Sequence, residues 1–251
     1  MIDLHCHILP GLDDGCQTMD DTMDMAQTAK EHGIRTVVAT PHHADGYYEN
    51  EAFSIRERVD RTNALLRERQ SDLLLLPGQE IRVNDQLLEE LDQNKLITLN
   101  DSQYILLEFP HKYVPDWIEN LFYELRLRSL IPVIAHPERN VEIIQNPRIV
   151  GRLKELGALF QLTAGSLLGK HGRTIQKLSF LFCRESMVQF IASDAHNRIR
   201  GIDHLSKAYE LIERRYGKPL ALYFQDNAHA VVHSMSIQNF EAPKKRRWLF
   251  F

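Results

Sequence analysis

The chain has 251 residues, 43% hydrophobic and 25% charged, enough apolar material for one large domain or two small ones. A formal net charge of -4 argues against a general nucleic-acid binder, and no apolar run approaches the ~18 residues that span a membrane. Three cysteines are too few and too odd a set for a disulfide framework, and the first strand begins at once, so a reduced cytoplasmic protein without a signal peptide is expected.

Seven strands are predicted, at residues 2–6, 34–40, 73–79, 103–109, 131–136, 158–164 and 188–194. The first runs into Asp3-Leu4-His5-Cys6-His7, where alternation puts His5 and His7 on one face and Cys6 on the other. Thr18 and Asp21 form a capping box that opens a helix with Met19, Met23 and Ala26 on one face. The second strand ends in Thr40-Pro41-His42-His43, and Phe53, Ile55, Val59, Thr62 and Leu66 stripe the next helix. The third and fourth strands end in Gly78-Gln79-Glu80 and Leu107-Glu108-Phe109, and a helix is expected over 114–130. After Ala135-His136-Pro137, Asn146-Pro147 supplies an N-cap and first turn, Ile149, Val150, Leu153 and Leu156 form the stripe, and Gly157 stops it. Further helices are expected at 172–186, 204–216 and 225–235, with Ser193-Asp194-Ala195-His196 ending the last strand. Runs such as Thr36-Val37-Val38-Ala39 and Phe190-Ile191-Ala192 are continuously apolar, as parallel strands buried on both faces require.

The polar residues at the strand ends choose between an open sheet and a barrel. At about 4.8 Å per strand, the outermost of seven open strands would stand roughly 29 Å apart, too far to share one cluster. A closed sheet brings all C-terminal ends to one mouth. The expected fold is therefore α/β, a distorted (β/α)7 TIM-like barrel over residues 1–243, with a metal site at the C-terminal ends of the strands. Glu80, Glu108 and Asp194 end apolar strands, where a buried carboxylate must be paired or metal-bound. Imidazoles and carboxylates without thiolates suit Mn²⁺, Fe²⁺ or Zn²⁺. These ligands outnumber the needs of one ion, and two or three ions at one mouth point to hydrolysis of a phosphate ester. Asp14, in the Gly11-Leu12-Asp13-Asp14-Gly15 turn, is a further candidate.

Five motifs in this order carry a resemblance over essentially the whole chain: Asp3 to Pro10, Ala39 to His43, Leu76 to Glu80, Ile134 to Asn140 and Ala192 to Asn197. The chain resembles the PHP (polymerase and histidinol phosphatase) superfamily, and within it the bacterial manganese-dependent protein tyrosine phosphatases of capsule and exopolysaccharide operons, the CpsB/YwqE type. The resemblance implies three Mn²⁺ ions: one held by His5, His7 and Asp194, a second joined to it by a bridging Glu80 and completed by Glu108 and His136, a third held by Asp14, His42 and His196. It leaves His43 free, in agreement with strand alternation. Arg139 matches the arginine that grips phosphate, and Arg200 is the choice for a second such arginine although the register after His196 is displaced. The implied reaction is in-line attack of a metal-bound hydroxide on phosphotyrosine, on a membrane-associated bacterial tyrosine kinase that controls polysaccharide export. A cysteine-dependent route is excluded by spacing, because Leu12, Thr22 and Gln189 stand six positions after the three cysteines where a phosphate-loop arginine would be. Two other readings stay open: a small-molecule phosphatase such as histidinol phosphatase, and a metal-stabilised docking module without turnover. The basic, aromatic tail at 244–251 offers peripheral contact with anionic lipid or a docking partner.

Overall fold

A computed structural model of the chain describes residues 1–197, 201–238 and 240. Every predicted strand is present: β1 Ile2–Cys6, β2 Thr36–Ala39, β3 His42–His43, β4 Leu74–Pro77, β5 Glu80–Arg82, β6 Tyr104–Glu108, β7 Ile131–Ala135, β8 Leu159–Thr163 and β9 Phe190–Ala192. The nine segments make seven strands, because β2 stops at Ala39 and resumes two residues later as β3, and β4 stops at Pro77 and resumes as β5. Pro41 lacks the N–H a ladder would use. A Cβ on Gly78 would lie 2.6 Å from Val38 Cγ1, so only glycine lets the two chains pass this closely at the break.

All pairings are parallel. One sheet has the order β1-β2-β4, the other β3-β5-β6-β7-β8-β9. The two sheets meet where β1 lies beside the end of β9: Cys6 and Ala195 form a parallel bridge, Asp194 N–H donates to His5 O at 2.9 Å, and His7 N–H donates to Ala195 O at 2.9 Å. The result is a distorted seven-stranded barrel, closed by a short seam rather than a continuous ladder.

The helices are α1 Met19–Glu31, α2 Ala52–Glu68, α3 Leu87–Asp92, α4 Ile118–Leu127, α5 Val141–Gln145, α6 Arg148–Glu155, α7 Ala164–Leu167, α8 Arg173–Arg184, α9 His204–Tyr216 and α10 Lys218–Val232. Thr18 caps α1 and Asp21 closes the reciprocal box, as expected. Three expectations need correction. Phe53 is 79% exposed, because α2 turns Ala52, Ile55, Val59 and Leu66 inward instead. Asn146 ends α5 and does not cap α6, whose first turn follows Pro147. The last helix begins at Lys218, seven residues before 225, with Pro219 in its first turn.

Strand alternation divides the core. Ile105, Leu107, Ile134, Phe160, Leu162 and Ile191 belong to a large apolar cluster shared with the helices. Val38, Leu106, Val133, Ala135, Phe190 and Ala192 belong to a smaller one that includes Val231 and Val232 of α10. Glu108 and Asp194 fall two residues after Leu106 and Ala192, so they continue the face of the smaller cluster. The apolar layer on that face therefore ends where the polar site begins. No helix among the described residues is long and apolar enough to cross a membrane.

Candidate metal centre

His5 and His7 leave β1 on one face, with their Nε2 atoms 3.2 Å apart. Glu80 Oε2 lies 3.3 Å from His5 Nε2 and 3.5 Å from His7 Nε2, and Asp194 Oδ1 lies 3.5 Å from each. Donors about 2.1 Å from one ion stand about 3.4 Å apart at tetrahedral angles. His5 Nε2 and His7 Nε2 have that spacing from each other and from each of the two carboxylate oxygens. On one side, Glu80 Oε1 meets His136 Nε2 at 2.8 Å, and Glu108 Oε1 lies 3.8 Å from the same nitrogen. On the other, Asp14 Oδ1 lies 3.2 Å from His196 Nε2 and 3.5 Å from His42 Nε2, while His42 Nδ1 comes within 2.8 Å of Glu80 Oε2. All nine sequence-predicted ligands thus come together in three adjoining groups, with Glu80 at the centre.

Six of the nine are buried: His5, His7, Glu80, Asp194 and His196 are at most 3% exposed and His136 8%, while His42 and Glu108 are half-buried and Asp14 is exposed. Burial alone would push the Glu80 carboxyl up, but His5 and then His42 hold it well below the usual range. Asp194 is held down in the same way, by His5, His7 and Arg139 against its burial. Burial lowers His5, and Glu80 with Asp194 outweighs it and raises the ring to about 9. The buried Glu80 Oε2 makes no hydrogen bond of good geometry although three imidazole nitrogens surround it. A buried carboxylate oxygen ringed by imidazoles fits a divalent cation, for which nitrogen and oxygen donors of this kind are the ordinary ligands. The residues present fit the group.

Several supporting residues were not found by sequence reasoning. Asp13 Oδ2 accepts from His7 Nδ1 at 2.6 Å and from the His42 backbone N–H at 3.1 Å, which leaves His7 Nε2 for the site. Gln161 Oε1 does the same for His5 Nδ1 at 2.8 Å. Arg82 donates to Glu108 Oε2 from Nε at 2.8 Å and lies 2.7 Å away through its second nitrogen, so Oε1 faces His136. The turn composition around Asp13 was visible, but nothing in it marks which aspartate reaches His7.

His43 is 1% exposed and stands apart, with Glu49 and Glu90 as its acidic neighbours. Its Nδ1 accepts the Asn50 N–H at 3.1 Å, so a neutral ring carries its proton on Nε2, facing Glu90 Oε2 at 3.5 Å. His43, Glu49 and Glu90 form a separate donor group, outside the cluster around Glu80. Arg139 Nη1 donates to Asp194 Oδ2 at 2.5 Å, and its side chain is 29% exposed toward the mouth. Arg200 and the tail at 244–251 lie outside the described residues.

Residues 1–233 match the family described as capsular polysaccharide synthesis, CpsB/CapC. The tyrosine-protein phosphatase YwqE of Bacillus subtilis is 43% identical over 251 residues, covering 100% of this chain and 99% of that protein. The crystal structures of YwqE from Bacillus subtilis and CpsB from Streptococcus pneumoniae, described as unique metal-dependent tyrosine phosphatases, include one that superposes with a TM-score of 0.91 at 42% identity, covering 98% of this chain and 100% of that chain. A lactonase from Listeria monocytogenes shares the fold at a TM-score of 0.52 and 9% identity, covering 97% of this chain and 95% of that one.

Proposed function

The chain belongs to the CpsB/CapC family of capsular polysaccharide synthesis proteins, and from that premise we propose that it is a metal-dependent protein tyrosine phosphatase with His5, His7, Asp14, His42, Glu80, Glu108, His136, Asp194 and His196 as metal ligands. The observation that carries the reading is the convergence of three donor groups on Glu80 with Arg139 at the rim. Three Mn²⁺ ions suit the three donor groups that adjoin at Glu80, all of nitrogen and oxygen. Once bound, such ions lower the pKa of water and neutralise charge on the phosphoryl oxygens.

The protein's own groups do the rest. Asp13 and Gln161 fix the tautomers of His7 and His5, so both Nε2 lone pairs point into the site. Burial lowers the Arg139 guanidinium, but Asp194 and Glu138 outweigh it and keep the group fully charged. Asp194 occupies one of its nitrogens, and the part left exposed would be the edge that meets a phosphoryl oxygen. The thiols are no nucleophiles: burial pushes Cys6 well up and Cys16 to about 12, and raises Cys183 too. A phenolate leaving group, pKa about 10, needs little protonic help.

The substrate class follows from the relatives, and the target we propose is phosphotyrosine on a bacterial tyrosine kinase of capsule or exopolysaccharide synthesis, met in the cytoplasm by a single barrel domain over 1–243 with the basic tail at 244–251 as a contact to the kinase or its membrane. The test is turnover by Mn²⁺-loaded protein of a phosphotyrosine peptide beside histidinol phosphate. Preference for the peptide is expected. Preference for histidinol phosphate would overturn the substrate, and turnover of neither with metal bound would favour a docking module.

A further inference from the structure

Where β2 and β4 stop, the parallel ladder between them stops too: the last paired residues are Ala39 and Pro77, and pairing resumes only at His42 and Glu80. Across this gap the backbone keeps a bond, Glu80 N–H to Pro41 O at 3.1 Å, while Pro41 has no N–H to return one. Side chains supply the further bonds.

Asn50 stands at that gap. It closes the loop between β3 and α2 and is 6% exposed, while Tyr47 three residues earlier is 89% exposed. A buried amide in a surface loop is stable only if its groups are bonded. Asn50 Nδ2 donates to Leu12 O at 2.9 Å and to His42 O at 2.8 Å. Its backbone N–H donates to His43 Nδ1 at 3.1 Å. Its carbonyl accepts from Gln79 Nε2 at 2.6 Å, and Gln79 Oε1 accepts the Ile97 N–H at 3.0 Å. One residue thus ties together the chain just before Asp13-Asp14, the ligand His42 itself, and the residue before Glu80.

We propose that Asn50 is a positioning residue that supplements the thinned ladder and holds the Asp14–His42 corner of the centre in register with Glu80. The inference rests on the metal-centre reading given above. Only an amide of this length suits the place. Its two N–H bonds reach two carbonyls at once, whereas an aspartate would set a carboxylate against both oxygens. His5 and Asp194 are held separately, by Gln161 and the β1–β9 seam, and only His7 shares a support with this corner, through Asp13, so loss of Asn50 should fall chiefly on the Asp14–His42 corner.

The experiment is calorimetric titration of the metal-free full-length chain with Mn²⁺, for wild type, Asn50→Ala and Asn50→Ser, with thermal melts of the metal-free proteins. Asn50→Ala is expected to weaken one class of Mn²⁺ by roughly 10–100-fold, the range for partners that orient ligands, and to leave the tightest class unchanged. Asn50→Ser, which keeps a short donor, should fall between, and it carries the test if the alanine variant does not fold. Isotherms identical to wild type would overturn the proposal while leaving the metal centre intact. Equal weakening of every class together with a lowered melting temperature would also overturn it, since that is a general loss of stability. Wild-type protein that took up no Mn²⁺ would remove the metal reading and this proposal with it.

Discussion

The second and third strands deliver their ligands differently from the fifth and seventh. In the former the strand breaks and restarts, and the ligands His42 and Glu80 sit on the short resumed pieces β3 and β5, paired with each other. In the latter the strand simply ends, and the next residues turn through left-handed backbone: His136 has φ 32° and Asp194 φ 52°. Alternation from Ala135 would point His136 away from the face that Ala135 shares with the site, and the left-handed turn re-aims it. Such a conformation costs about 1–2 kcal/mol in a residue with a Cβ. One device spends backbone strain at a single residue, the other spends ladder bonds and recovers them through side chains such as Asn50. The first tolerates changes nearby. The second depends on fit around the break.

The sharpest way to probe the broken-strand side is to remove its central carboxylate. Glu80→Ala should abolish activity, beyond the roughly 10³-fold that loss of one transition-state donor costs, because His5, His7, His42 and His136 all contact this group. Metal content per chain, measured beside activity, should fall with it. On the turn side, Asp194→Asn keeps a residue that tolerates left-handed backbone and removes only the charge. Activity should fall by about 10²–10³-fold with the melting temperature of the metal-loaded protein lowered little. A collapse of the fold there would mean that the turn, not the charge, is what matters.

Gly78→Ala alters no ligand but places a Cβ 2.6 Å from Val38 Cγ1 and 3.3 Å from Ala39 O. Overpacking of this kind costs about 1–3 kcal/mol, and chemical denaturation should show it. A neutral result would mean that the break is not a matter of fit. The smallest effect is expected for His43→Ala. It removes the acceptor of the Asn50 N–H, worth about 1 kcal/mol, and should leave the number of bound ions unchanged. If it abolished metal uptake and His42→Ala did not, the facing of β3 would be wrong.

The difference between the two devices also explains what the sequence disclosed. Strands, the Thr18–Asp21 box and the nine ligand candidates were legible because each is a local signal: an apolar run, a spacing of three, a polar residue at a strand end. The breaks after Ala39 and Pro77 were not, since the predicted strands 34–40 and 73–79 stop short of β3 and β5, pieces too brief to show as apolar runs. Gln161 orients His5 from 156 positions away and Asn50 reaches Leu12 from 38, and no periodicity announces such contacts. Phe53 fits a helical stripe on paper, yet the rotation of α2 is set by Ile55, Val59 and Leu66, which fill the core first. Arg139 was found by motif, whereas its bond to Asp194 needed the fold.

In the reading proposed above, this cluster of imidazoles and carboxylates works as a metal centre for phosphotyrosine hydrolysis. The most direct measurement is the rate on a phosphotyrosine peptide after chelation and dialysis, with metal content verified, and again after stepwise return of Mn²⁺. The metal-free protein should show no turnover, and activity should recover in step with the bound metal. Full activity in protein shown to be free of metal would contradict that reading.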